Sequence, residues 1–228
     1  MAEPTQPLQI AFLVYEKLTV LDLIGPYEVL HRLPNTESVF VALEPGAYTV
    51  ESGLFSLGVP SGLADVPEPD IVVVPGGAEG TMAAATNEEI LTWLRHAHAH
   101  SRYTTSVCTG SLILAAAGLL AGKAATTHWA AREMLDQAGA HFSEQRVVED
   151  GKIITAAGVS AGIDMALTLA AKVAGDEVAQ ALQLGIEYDP QPPFDSGSLG
   201  KASEEVRARA ASFLAEPAGA LSLPDPRA

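Results

Sequence analysis

Apolar residues run almost without a break through Leu8–Tyr15, LQIAFLVY, a pattern that predicts a central strand covered on both faces. Ser38–Leu43 is a second strand candidate, and the glycine-rich interval from Tyr48 to Gly62 reads as short extended pieces and turns. Asp70–Val74 is an apolar strand cut off by Pro75-Gly76-Gly77, where the backbone turns sharply and exposes N–H groups. Tyr103–Val107 is a further short strand, and Cys108 follows it at once.

Helical spacing fills the intervals. Gly25-Pro26 puts proline where a first turn tolerates its missing N–H, so a helix over Tyr27–Arg32 is predicted with Asp22 just before its start. Thr86-Asn87-Glu88-Glu89 has the spacing of a capping box, ahead of a helix through about His100. Gly110–Leu119 has helical length, with Gly122 as its stop, and Thr127 is placed to cap a helix from His128 or Trp129 to Gln137. Asp150-Gly151 is a hairpin signal between Gln145–Glu149 and Lys152–Ala156. Helices are expected over Ala161–Ala174 and Asp176–Glu187, then an irregular excursion over Asp189–Gly200 and an amphipathic terminal helix over Ser203–Leu214. Strands alternating with helices favour an α/β fold, a mainly parallel sheet with helices on both faces and its site at the carboxyl ends of the strands.

Composition narrows the class. The 228 residues suit one large domain, with a core over roughly residues 8–190 and an irregular segment and helix over 191–228. Lys+Arg number 13 against Asp+Glu at 28, and the net charge of −15 repels nucleic acid and anionic membranes, so neither is expected as a partner. Apolar runs such as Ile71–Val74 and Leu112–Leu120 fall short of the roughly 20 residues of a membrane span. Met1–Pro7 lacks the pattern of a secretory signal. A single cysteine excludes an intramolecular disulfide and a thiolate-rich zinc site, and a cytoplasmic location is expected. His96, His98 and His100 alternate along a helix without sharing one face, which reads as solvated positions with no metal.

Ser106-Val107-Cys108-Thr109-Gly110 places a thiol between a strand end and a helix start, where N–H dipoles favour the thiolate and a low pKa. Small neighbours at Gly110 and Ser111 permit a tight nucleophile elbow. A buried structural thiol fits the same spacing. Gly76, Gly77 and Ala78 offer backbone donors for developing charge if the fold brings them to Cys108, with Thr109 supplying another through its N–H or hydroxyl. Asp22, between Leu21 and Leu23, is an acid in an apolar setting that would raise its pKa; helix capping is its competing role. Asp164 is read as a first-turn acid, and His128 beside Trp129 as a supporting residue.

Ser106–Gly110, Pro75-Gly76-Gly77 and Leu21–Pro26 together resemble the ThiJ/PfpI branch of the class I glutamine amidotransferase-like superfamily, and within it the isocyanide-hydrating members. The match continues through Ala125–Trp129, Gly158–Asp164, Glu187-Tyr188 and Pro192–Phe194. The resemblance implies a flavodoxin-like sandwich, a homodimer and hydration of a small-molecule isocyanide to an N-formamide without metal or organic cofactor. It assigns Cys108 as the nucleophile that forms a thioimidate and Asp22 as the proton carrier. Thr109 and the Gly77 region would stabilise the intermediate, and Val159 would line the pocket. Peptidase relatives carry histidine where this chain has Thr109, and deglycase and glyoxalase-like relatives carry glutamate where it has Asp22. Related segments also occur in AraC-type regulators, but two helix-turn-helix units are not expected in the short stretch before Ala228. Glyoxalase or deglycase chemistry on dicarbonyls, and a cysteine-based redox sensor, are the competing functions.

Overall fold

The apolar run near the amino terminus becomes an interior strand of a seven-stranded sheet. The computed structural model describes residues 6–215. Its strands are β1 (Leu8–Leu13), β2 (Thr36–Ala42), β3 (Gly46–Thr49), β4 (Ser56–Val59), β5 (Ser61–Gly62), β6 (Ile71–Val74), β7 (Tyr103–Val107), β8 (Ala124–Ala125), β9 (His141–Phe142), β10 (Val147–Asp150) and β11 (Ile153–Ala156). Its helices are α1 (Val20–Leu30), α2 (Ala78–Ala85), α3 (Glu88–His100), α4 (Gly110–Ala116), α5 (Arg132–Gln137), α6 (Ala161–Ala174), α7 (Asp176–Gly185) and α8 (Glu204–Ala215).

The main sheet has the order β10-β11-β7-β6-β1-β2-β5, parallel throughout except for the antiparallel β10–β11 hairpin. This is the flavodoxin-like α/β arrangement. β6 is buried at every position, as helices on both faces demand. From β1 the chain first builds outward through β2, then returns on the other side through β6 and β7. The order therefore reverses between β1 and β6, and the crevice at the carboxyl ends of those strands is where such sheets place their sites. The segment after β1, the loop after β6 and the elbow after β7 all converge there.

Several boundaries depart from the sequence pattern. Helix α1 begins at Val20, so Asp22 lies in its first turn and Pro26 in its interior. Proline fits there because it merely leaves one carbonyl without its usual donor while its neighbours are packed against α6. Helix α2 has no counterpart in the sequence reading, since its AEGTMAAA sequence lacks an apolar stripe. Asn87, not Thr86, caps α3 by accepting from the Glu89 and Ile90 N–H groups, while the Thr86 hydroxyl closes the preceding helix on Met82 and Ala83.

Helix α4 stops at Ala116, followed by Gly118 at φ +81, well before Gly122. His128 takes the cap position assigned to Thr127, its Nδ1 accepting from Ala130 N–H, and a 3-10 turn precedes α5. The hairpin turn is Gly151-Lys152, one residue later than Asp150-Gly151. Helix α7 ends at Gly185, and Glu187 follows at φ +49. The chain divides after Tyr188 into two compact units. In the second unit α8 is exposed along nearly all of its length and is not amphipathic.

Candidate active site

Cys108 follows β7 at once with a φ of +56, a left-handed conformation that non-glycine residues adopt at a cost of about 1 kcal/mol. The turn is held from both sides. The Cys108 N–H donates to the carbonyls of Ala156 and Ala157, and its own carbonyl accepts from the hydroxyls of Ser111 at 3.2 Å and Thr127 at 3.1 Å. Gly110 lets the elbow press against β6, because a Cβ there would lie 2.3 Å from the Val74 carbonyl oxygen. Side chains cannot enter such a contact. Cys108 itself is left only 6% exposed.

Asp22 is fully buried and reaches this crevice from α1. Its Oδ2 accepts the Gly76 N–H at 3.0 Å, and its Oδ1 has no nitrogen or oxygen donor among the described residues. Burial is the main cause of its raised pKa, about 7, opposed by the Gly76 N–H and by the neighbouring Cys108 thiol. The negative charge of Glu51 pushes in the same direction as burial.

The thiol does not behave as the dipole argument predicts. Burial first, and then the Asp22 charge, push Cys108 up to about 12. N–H groups of Val159 and Thr109 oppose this by facing the sulfur. A short helix supplies too little field to outweigh desolvation beside a carboxylate. The low pKa expected for Cys108 is thus corrected: burial and the Asp22 charge move the thiol up, not down.

The predicted backbone donors are also redistributed. Gly76 N–H is engaged by Asp22 and Gly77 N–H by Thr109 Oγ1 at 3.1 Å, so neither points at the sulfur. Ala78 opens α2, where a first-turn N–H has no partner within the helix. The N–H groups that face the sulfur are those of Thr109, already a candidate donor in the sequence, and of Val159, whose φ of +35 marks a tight turn before α6.

The Thr109 hydroxyl is part of a chain that the sequence did not reveal. It lies 2.8 Å from Thr81 Oγ1, which lies 3.3 Å from Tyr15 Oη, and Tyr15 donates to the Pro75 carbonyl at 2.8 Å. Burial raises the Tyr15 phenol, which stays protonated. Tyr15 sits in the β1 run and Thr81 on a helix absent from the sequence pattern, so neither had a signal beyond apolar context.

His128 does not contact Cys108 through any hydrogen bond. Its ring instead packs on Gly158, where a Cβ would lie 2.7 Å from His128 Cδ2, and so supports the Gly158-Val159 turn behind the sulfur. Burial lowers its pKa, in keeping with a neutral ring whose Nδ1 accepts a hydrogen bond. Asp164 is held apart by Arg146 at 2.6 Å and by Tyr188 Oη at 3.2 Å, as a first-turn acid in an ion pair.

One expectation about metal ligands changes. His96 and His100 stand four residues apart on one face of α3 and share it with Glu68, while His98 turns inward to Thr104 Oγ1 at 2.8 Å. Among the described residues no helix is long and apolar enough to cross a membrane.

The model of the DJ-1/PfpI family matches residues 8–172. The chain is 46% identical over 211 residues to the isonitrile hydratase of Pseudomonas putida, covering 91% of this chain and 92% of that one. Among solved structures, a ThiJ/PfpI family protein from Pseudomonas syringae superposes with a TM-score of 0.88 at 40% identity, over 92% of this chain and 87% of that one. DJ-1beta of Drosophila melanogaster has the same fold, with a TM-score of 0.73 at 24% identity over 79% of this chain and 98% of that one.

Proposed function

The chain belongs to the DJ-1/PfpI family, and from that membership we propose that it is a hydro-lyase that converts isocyanides, R–N≡C, to N-formamides with Cys108 as nucleophile. The high identity to an isonitrile hydratase along almost the whole chain supports this substrate class. One feature of the site carries the chemistry: a buried carboxyl group, Asp22, raised to about 7 beside a protonated thiol. A group of that affinity accepts a proton and returns it at neutral pH.

In the first step the Cys108 sulfur bonds to the terminal carbon, and the thiol proton passes through Asp22 to the same carbon. The product is a thioimidate, S–CH=N–R. Water then bonds to that carbon while one of its protons moves through Asp22 to nitrogen. The carbon–sulfur bond breaks as the carbonyl forms, the hydroxyl proton returns to sulfur, and the formamide leaves. The Thr109 and Val159 N–H groups stabilise charge on the sulfur as it attacks and departs.

Gly77 and Ala78 border the substrate, with Thr109 fixing the Gly77 loop through its hydroxyl. Gly76 orients Asp22, while Gly110 and His128 support the elbow and the Val159 turn. The reading includes a homodimer in the cytoplasm with no metal or organic cofactor. A thiol held near 12 leaves little resting thiolate, which weighs against a redox sensor.

The test is turnover of an aryl isocyanide followed by ultraviolet absorbance, in wild type, Cys108→Ala and Asp22→Asn. Formamide should appear only with the wild type at an appreciable rate. Turnover that survives Cys108→Ala ends the reading, and lactate formed from methylglyoxal faster than formamide would transfer it to dicarbonyl chemistry.

A further inference from the structure

We propose that Glu68, His96 and His100 form a second site, remote from Cys108, that binds a transition-metal dication of the zinc class. The ligating atoms all lie within 4.8 Å of one another. Glu68 Oε1 is 3.2 Å from His96 Nε2 and 3.6 Å from His100 Nε2. Two ligands each about 2.1 Å from a tetrahedral zinc ion stand about 3.4 Å apart. The observed spacings bracket that value.

The site is built in advance of any ion. His96 and His100 project from the same face of α3, the i, i+4 arrangement that lets two imidazoles share one metal. Their ring centroids are 4.5 Å apart. His100 Nδ1 lies 2.9 Å from the His96 carbonyl oxygen, which can only accept. Nδ1 is therefore the donor, and in the neutral ring Nε2 carries the lone pair toward Glu68.

Glu68 is equally constrained. Pro67 and Pro69 flank it, which restricts its backbone to extended conformations. One residue before Pro67, the Val66 carbonyl accepts the Trp93 indole N–H at 2.8 Å in a buried bond. Trp93 precedes His96 by three residues and His100 by seven, so this bond docks the Glu68 segment on the histidine face. The histidines occupy the last two turns of α3, where the helix dipole favours a cation.

Two imidazoles and one carboxylate select zinc, nickel or copper over magnesium or calcium, which prefer all-oxygen shells. A fourth position is left for water. Glu68 precedes β6 and Gly76 follows it, so the site lies at the opposite end of that strand from Cys108. Its consequence is structural: the ion clamps the segment before β6 to the end of α3.

The experiment is calorimetric titration of the full chain with ZnCl2, and separately with MgCl2, in wild type and in Cys108→Ala to remove the thiol as a ligand. One Zn2+ should bind per chain in both, with a rise in Tm and no comparable Mg2+ binding. His96→Ala, His100→Ala and Glu68→Gln should each weaken Zn2+ by roughly tenfold or more, while His141→Ala changes nothing. All four side chains are exposed, and circular dichroism checks that the variants fold. Absence of stoichiometric zinc binding, or affinity unchanged in the histidine variants, overturns the proposal. Affinity unchanged in Glu68→Gln overturns the three-ligand site.

Discussion

The Gly76 N–H donates to Asp22 Oδ2 at 3.0 Å, and this bond ties helix α1 to the loop after β6 across the reversal point of the sheet. One N–H recovers little of the solvation that the carboxylate loses, so the group titrates near neutrality, at about 7. In the proposed reaction the carboxylate is the form that accepts the Cys108 proton. For isocyanide hydration, kcat/KM should therefore rise with pH to a plateau, with a midpoint near 7. Asp22→Asn should abolish that limb and lower kcat/KM by roughly 100-fold or more. Initial rates between about pH 5.5 and 8.5 for both proteins check this, and a flat wild-type profile removes Asp22 from proton transfer.

The same carboxyl group makes stability fall with pH. Its ordinary value of 3.8 becomes about 7 in the folded chain, so between those limits the native state holds more protons than the unfolded one. The stabilisation is complete below the lower value and is lost as pH rises through the upper one. Replacement by asparagine keeps the shape and an acceptor for Gly76 while removing the charge. Urea unfolding at pH 5 and pH 8 should show Asp22→Asn gaining on the wild type at the higher pH, by an order of roughly 2 kcal/mol. Cys108, already high in its ordinary state, contributes a similar slope only in more alkaline solution.

The sheet was legible because its strands are buried on both faces and carry continuous apolar runs, as at Leu8–Leu13 and Ile71–Val74. Cys108, Thr109 and Asp22 were legible because a thiol between strand and helix and an acid among leucines are local patterns. Helix α2 was not, since an alanine- and glycine-rich segment gives no periodic contrast. The direction of the Cys108 shift was not legible either. It is decided by burial and by Asp22, which comes from a helix 86 positions earlier in the chain, and no spacing rule reports that contact. The Glu68–His96–His100 grouping depends in the same way on a loop laid over a helix face.

The 2.8 Å contact between Thr81 and Thr109 hydroxyls joins α2 to the elbow and leaves Thr109 Oγ1 free to accept from Gly77. Thr109→Val removes that acceptor, strands the Gly77 N–H and leaves the Thr81 hydroxyl with Tyr15 Oη as its remaining partner. A loss of about 1–3 kcal/mol in urea unfolding is expected, with reduced kcat. Thr109→Ser keeps the oxygen and should retain most of both. Equal stability and rate for the valine and serine variants would show that the hydroxyl chain does not set the loop.

The left-handed backbone at Cys108 makes a prediction whose sign is opposite to that of an ordinary site. Glycine elsewhere in an ordered element is less stable than alanine by roughly 0.5–1 kcal/mol, because it loses more conformational entropy on folding. At φ +56 an alanine Cβ meets the following carbonyl, whereas glycine adopts that geometry without the clash. Both variants delete the thiol, so its burial and its interaction with Asp22 cancel in the comparison. Cys108→Gly should therefore equal or exceed Cys108→Ala in urea unfolding, by up to about 1 kcal/mol. The reverse order would mean that the elbow relaxes when sulfur is absent, and that the thiol holds its own backbone in the strained turn.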